Sequence, residues 1–176
     1  LGLQDRGLAR GGGLGLDPPG ARLTTSTKAD RSPERLMAIL AEHQFRGHSR
    51  YRRRDVTGDG KPETFCNVHA ADVAEAMGVL LPRDRANGQI LWLSTTGVLE
   101  QWELVPEHAA QGCADAGMLV IAAWFNRNGG PGHVAPLEPS MGEPGTWCSN
   151  VGANNFLRGT VGQAFGTLPV TYFVHP

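Results

Sequence analysis

The run Met118-Leu119-Val120-Ile121-Ala122-Ala123-Trp124 contains no polar side chain, and unbroken apolarity over so short a length predicts a buried strand. Extended by Phe125 it is the longest apolar run in the chain, well short of the ~18 residues that cross a bilayer. A soluble protein with no membrane span is expected. The 176 residues suffice for one domain with a real core. After a loop over Asn126 to Gly132, further strands are predicted at His133 to Leu137, Thr146 to Val151 and Val170 to Val174. Short connections make them antiparallel neighbours, and helical patterns fall mostly before them. The layout is α+β, helices first and a small barrel-like antiparallel sheet afterwards.

Thr64-Phe65-Cys66-Asn67-Val68-His69-Ala70-Ala71-Asp72-Val73-Ala74-Glu75-Ala76-Met77-Gly78 reads as a helix with one buried face, capped by Thr64 and stopped by Gly78. Cys66 then lies in the first turn, where unpaired N–H groups and the helix dipole favour an anion, so its thiolate should form more easily than that of a free cysteine. Taken alone, the segment favours the plainer reading, a small buried hydrophobe.

A net charge of −1 and a pI near 6.6 argue against a nucleic-acid partner. The one dense basic run, Arg50 with Arg52-Arg53-Arg54, reads as a solvated loop. Cys66, Cys113 and Cys148 leave at least one thiol unpaired; a Cys113–Cys148 disulfide or two buried thiols are the alternatives. Neither Cys-x-x-Cys nor His-Glu-x-x-His spacing occurs.

Asp55-Val56-Thr57-Gly58-Asp59-Gly60-Lys61-Pro62-Glu63 carries oxygen-bearing side chains at its first, third, fifth and ninth positions and glycine at the sixth. That is the spacing of a calcium-wrapping loop without the distant bidentate Glu of an EF-hand. Asp55, Thr57, Asp59, Lys61 and Glu63 are the candidate metal positions, and an Asp/Gly-rich turn is the alternative.

Residues 1–31, with Gly11-Gly12-Gly13, Gly15, Asp17-Pro18-Pro19-Gly20 and Thr24-Thr25-Ser26-Thr27, have too little apolar surface to offset ordering. They are expected to be a linker or an extended wrap, with a single domain over residues 32–176. The opening Leu1-Gly2-Leu3-Gln4-Asp5-Arg6 lacks the basic start and apolar core of a signal peptide. Ser32-Pro33-Glu34 opens a helix to about Glu42 with Leu36, Ile39, Leu40 and His43 on one face. Arg83 to Gly88 reads as a polar loop, and Ser94 or Thr95 as the cap of a short helix to Trp102. Pro106 to Gly117 reads as a small-residue helix carrying a surface His108.

Gly130-Pro131-Gly132-His133-Val134-Ala135 follows the apolar strand. A cysteine on a helix followed by a histidine at the head of a strand is the order that brings an imidazole beside a thiol. Taken with Thr64-Phe65-Cys66-Asn67 and Gly152-Ala153-Asn154-Asn155-Phe156, this order over about residues 50 to 176 resembles the papain-like cysteine peptidases of bacterial cell walls. These are the NlpC-type and CHAP groups. The chain departs from the Asp-Cys-Ser-Gly signature of the NlpC type, having Phe65-Cys66-Asn67-Val68 instead.

The resemblance implies a Cys66 nucleophile, a His133 base and a polar third residue on the adjoining strand, Asn150, with Asn155 and Asn154 as rivals. The backbone N–H of Cys66 would form part of the oxyanion hole, with a second donor from residues 50–54. Trp92, Trp102 and Trp124 become candidate substrate contacts, with core packing as their alternative. His69 and Asp72, one turn on from Cys66, are a weaker local set because side chains of the same helix do not readily reach its first turn. Similar proteins cut peptidoglycan stem peptides or the muramoyl–alanine amide, in wall remodelling, phage lysis (endolysins) or antibacterial attack. They are secreted, periplasmic or delivered to the wall, and a toxin would have an immunity protein as partner. No cofactor is required for the chemistry, and a monomer is expected. A non-enzymatic, calcium-stabilised wall- or glycan-binding module and an acyltransferase are the competing readings.

Overall fold

The computed structural model describes residues 23–46 and 49–176; Gly11-Gly12-Gly13, Gly15 and Asp17-Pro18-Pro19-Gly20 lie outside them. Helix α1 (Pro33–Arg46) begins as expected: Ser32 Oγ accepts from the Arg35 N–H at 3.1 Å, which satisfies one orphan donor of the first turn. Its apolar face of Leu36, Ile39 and Leu40 is fully buried, and His43 is buried with it. It runs past Glu42 by one more turn.

Helix α2 (Cys66–Ala76) is the centre of the molecule. It is capped at Phe65 and not at Thr64, and no side chain bonds its first N–H groups. In place of one buried face, eight residues from Cys66 to Ala76 are buried. Its alanines, with no side-chain entropy to lose, let neighbours approach from more than one side. Gly78 ends it as expected, with φ +67°; its N–H reaches Glu75 O at 3.0 Å and the Val79 N–H reaches Ala74 O at 2.8 Å.

Helix α3 (Ala86–Thr95) departs from expectation. The polar stretch expected as loop enters the helix at Ala86, held by Asn87, whose side chain donates to Asn126 O at 3.0 Å and accepts from the Asn126 N–H at 3.0 Å. Ser94 and Thr95 do not cap; their hydroxyls donate back to Ile90 O and Leu91 O at 2.7 and 2.8 Å. A short 3-10 turn, Gly97–Glu100, follows.

Strand β1 (Glu103–Val105), helix α4 (Glu107–Asp115), strands β2 (Leu119–Trp124), β3 (His133–Pro136), β4 (Trp147–Asn150) and β5 (Phe156–Thr160), helix α5 (Val161–Phe165) and strand β6 (Thr171–His175) complete the chain. The main sheet is antiparallel in the order β1-β6-β2-β3, and β4-β5 form a second, two-stranded sheet. A Leu137–Cys148 bridge and a bond from the Glu138 N–H to Trp147 O at 2.9 Å connect the two. The fold is mixed α+β with small antiparallel sheets.

The unbroken apolarity of β2 has its cause here. Leu119, Ile121 and Ala123 pack into the core shared with α1, α2 and α3, whereas Val120 and Ala122 pack into a second core with α4, α5 and Cys148. A strand buried on both faces has no position left for a polar residue.

Residues 23–31 lie along the domain. Thr24 N–H donates to Glu42 at 2.5 Å, Ser26 N–H to Ala76 O at 2.7 Å, and the Arg31 guanidinium to His175 O at 3.1 Å. The packed unit therefore starts before residue 32. All three cysteines are free, Cys66 and Cys148 buried and Cys113 half-buried. The Cys113–Cys148 disulfide does not form, and only one of that pair is fully buried. Among the described residues no helix is long and apolar enough to cross a membrane.

Candidate active site

His133 opens β3, directly across from Trp124 on β2. Its Nε2 lies 2.8 Å from Asn150 Oδ1, and Asn150 Nδ2 donates to the Asn154 carbonyl at 2.7 Å. The second bond decides the first. With its amide NH₂ committed to a carbonyl, Asn150 can turn only its oxygen to the ring, so Nε2 must carry the proton. The proton-free lone pair of neutral His133 is then on Nδ1. The ring is held from one side by Phe165, centroids 4.7 Å apart. From another it is approached by Gly152, where a Cβ would stand 3.3 Å from both the ring carbon Cε1 and Asn150 Nδ2. That crowding accounts for a glycine at this position.

Of the candidate third residues, Asn150 alone bonds the ring. Asn155 fixes the loop instead, accepting from the Gly152 N–H at 3.1 Å and donating to Tyr51 O at 3.3 Å. Asn154 contributes its backbone carbonyl. The roles of Asn154 and Gly152 had no sequence signal beyond the Gly-Ala-Asn-Asn run.

Cys66 occupies the first turn of α2, which packs on β3. The backbone amides of Val134, Asn67 and Cys66 itself favour the thiolate. The expected easy thiolate is nevertheless overturned. Cys66 is 3% exposed, and burial pushes its pKa up more strongly than these N–H groups pull it down. Burial likewise holds His133 below the ordinary 6.5, against the Asn150 bond that raises it. Burial thus favours the neutral form of each group, and among the described residues no hydrogen bond joins Cys66 to His133.

A cavity of about 200 Å³ lies beside the ring, lined by Thr64, His133, Asn150, Gly152, Asn154 and Gln163 among others. Cys66 is not in its wall; Thr64, two residues earlier, is. A larger cavity of about 510 Å³ lies by Tyr51, Asp72 and Arg83. There the Asp72 carboxylate is saturated by Tyr51 Oη at 2.7 Å, Arg83 at 2.7 Å and Arg50 at 3.2 Å. His69 is fully buried with Nε2 facing Ser149 Oγ at 3.5 Å. His69 and Asp72 are thus engaged elsewhere and form no set with Cys66. We place the candidate site at the smaller cavity, which holds the His133–Asn150 pair.

The tryptophans separate. Trp102 is 1% exposed and donates to Leu80 O at 3.0 Å, so it is a core residue closed to substrate. Trp92 is half-buried against the α-helical core. Trp124, half-buried opposite His133, is the one next to the candidate site. From residues 50–54, Arg54 reaches the cysteine segment, its guanidinium 4.1 Å over the Phe65 ring. Its Nη1 is already donated to Arg50 O and Arg52 O at 2.9 and 3.2 Å.

In the Asp55–Glu63 loop, oxygens of Asp55, Asp59 and Glu63 lie within 4.8 Å of one another. The turn also closes by itself. Asp55 accepts from the Gly58 and Gly60 N–H groups at 2.6 and 2.8 Å, Glu63 from the Val56 N–H at 2.8 Å and the Thr57 hydroxyl at 2.9 Å, and Asp59 from the Lys61 N–H at 2.9 Å. Three clustered carboxylates with spare lone pairs suit a hard cation. Thr57 Oγ1 is spent on Glu63, and Lys61 takes part through its backbone.

Comparison with family models and with curated proteins gave no match to this chain.

Proposed function

We propose that the protein is a papain-like cysteine hydrolase that cuts amide bonds of peptidoglycan stem peptides. The observation that carries the reading is the His133 Nε2–Asn150 Oδ1 bond of 2.8 Å, which leaves the basic nitrogen of the imidazole free beside a helix that begins with a cysteine. His133 Nδ1 takes the thiol proton, and Cys66 sulfur attacks the amide carbonyl. The imidazolium, stabilised through Nε2–H by Asn150, then protonates the leaving amine. Water, deprotonated by the same nitrogen, hydrolyses the thioester. The N–H of Cys66 faces the developing oxyanion. The substrate class comes from the resemblance to wall peptidases.

Digestion of purified peptidoglycan, with mass analysis of the fragments, tests this. New free carboxyl and amino ends within the stem, or at the muramoyl–alanine junction, are the expected products; an undigested wall would sink the proposal. Products joined by a new amide or ester would instead mark an acyltransferase.

One observation favours a second reading, a calcium-stabilised wall-binding module: the thiol is buried while the acidic loop is open to solvent. Calcium held by Asp55, Asp59 and Glu63 serves either reading, by rigidifying the approach to α2. Millimolar calcium is expected to raise the melting temperature by a few degrees over chelator, and Asp55→Asn with Asp59→Asn to erase the difference. Melting curves that coincide with and without calcium identify a plain turn.

A further inference from the structure

Gln44, in the last turn of α1, reaches the β4-β5 sheet with one nitrogen. Its Nε2 lies 2.9 Å from Ser149 Oγ, 2.9 Å from the Asn150 carbonyl and 3.1 Å from the Phe156 carbonyl. Two carbonyls facing one atom require it to be the NH₂ end of the amide, whose two hydrogens they take. Asn150 and Phe156 are register partners, and the pairing of β4 with β5 slips between Cys148 and Asn150. An irregular ladder leaves local backbone groups without strand partners. A donor from outside the sheet is therefore needed at the residue that holds His133.

We infer that Gln44 is a positioning residue for the hydrolase: by tying the Asn150 and Phe156 carbonyls together it fixes the Asn150 side chain, and through it the tautomer and aim of His133. The inference rests on the hydrolase reading for its consequence in rate, but its structural content does not. Asn150 Oδ1 faces the ring with its NH₂ end bonded to Asn154 O. Both groups sit on the segment whose start Gln44 clamps. Ser149 Oγ joins the same nitrogen to buried His69, so α1, α2 and β4 meet at this point.

The experiment compares Gln44→Met, of similar length but without a donor, with Gln44→Ala and Asn150→Ala, using peptidoglycan as substrate. Urea midpoints establish that each is folded. Both Gln44 variants are expected to lower kcat on the order of 10- to 100-fold with KM little changed, and to move the acid limb of the rate profile to lower pH, because the Asn150 bond that raises the His133 pKa is loosened. If Gln44 acts through Asn150, adding Gln44→Met to Asn150→Ala lowers kcat less than about twofold further. A purely structural role would give additive losses and an unmoved pH profile, and would overturn the inference.

The His133 ring-nitrogen NMR signals give a readout that needs no turnover. Wild type is expected to show the Nε2–H form and Gln44→Met a mixture. An unchanged tautomer sinks the inference whatever the activity. Activity that survives Cys66→Ala sinks the hydrolase reading and leaves the tautomer result to judge Gln44.

Discussion

Cys66→Ala is expected to remove peptidoglycan cleavage by on the order of 10³-fold or more while leaving the fold intact, because the side chain lost is small and the bond-forming atom goes with it. His133→Ala is expected to lose on the order of 10²- to 10⁴-fold, the range of a positioned general base. Asn150→Ala loses less than either, since it supplies the tautomer and not the proton acceptor. The shape of the pH response separates this site from one with a standing thiolate–imidazolium pair. Burial raises the Cys66 pKa and lowers that of His133, so proton transfer from sulfur to nitrogen is uphill before substrate binds. Alkylation of Cys66 by iodoacetamide, followed by mass analysis of its peptide, should be slow at pH 6 and accelerate into the alkaline range. Catalysis, which needs only neutral His133, should persist below pH 6.5. Rapid alkylation at acid pH would show that a thiolate stands ready, and catalysis by Cys66→Ala at the wild-type rate would end the hydrolase proposal.

Local chemistry carried the parts of this site that the sequence made legible. The Cys66 helix, the buried strand before it reaches His133 and the stop at Gly78 each depend on patterns within a few residues of one another. What stayed hidden depended on distance. Helix α3 starts at Ala86, after an Arg85 that makes no side-chain cap, because Asn87 is held by residues some forty positions away. Strand β5 contains Arg158 at φ +61°, a conformation no strand pattern anticipates. Its N–H donates to the buried carboxyl group of Glu138, at 2.9 Å from one oxygen. Gln44 carries no mark of its role, since a glutamine in the last turn of a helix ordinarily faces water. At Cys66 a helix terminus contributes up to about 2 kcal/mol to an anion, and removal from water outweighs it.

The same competition sets the response of stability to pH, where two fully buried groups act in opposite directions. His69 is held down to about 3 by burial, with His43 adding in the same direction and Asp72 opposing. A histidine kept neutral in the fold but protonated when unfolded near 6.5 contributes stability that is present above pH 6.5 and lost as pH falls toward 3, on the order of 5 kcal/mol over the full window. Lowered pKa values at His43, His133 and His175 add to that acid loss. Glu138, raised from 4.5 to about 7 by burial against the Arg158 N–H and charge, has the opposite sign. Its native form holds a proton that the unfolded chain releases, so stability is full below pH 4.5 and falls by about 3 kcal/mol as pH rises through 7. Between pH 4.5 and 6.5 Glu138 offsets the His69 slope and the other three histidines set the acid loss; the loss steepens below pH 4.5, and stability declines again above pH 6.5. Urea midpoints from pH 4 to 8 are expected to trace that shape. Glu138→Gln should flatten the alkaline side and stabilise at pH 8 by about 2 kcal/mol, allowing for one acceptor where the carboxylate offers two. His69→Gln should flatten the acid side. If Glu138→Gln leaves the decline above pH 6.5 unchanged, the carboxyl is ionised in the fold and the Arg158 guanidinium governs it more strongly than burial does.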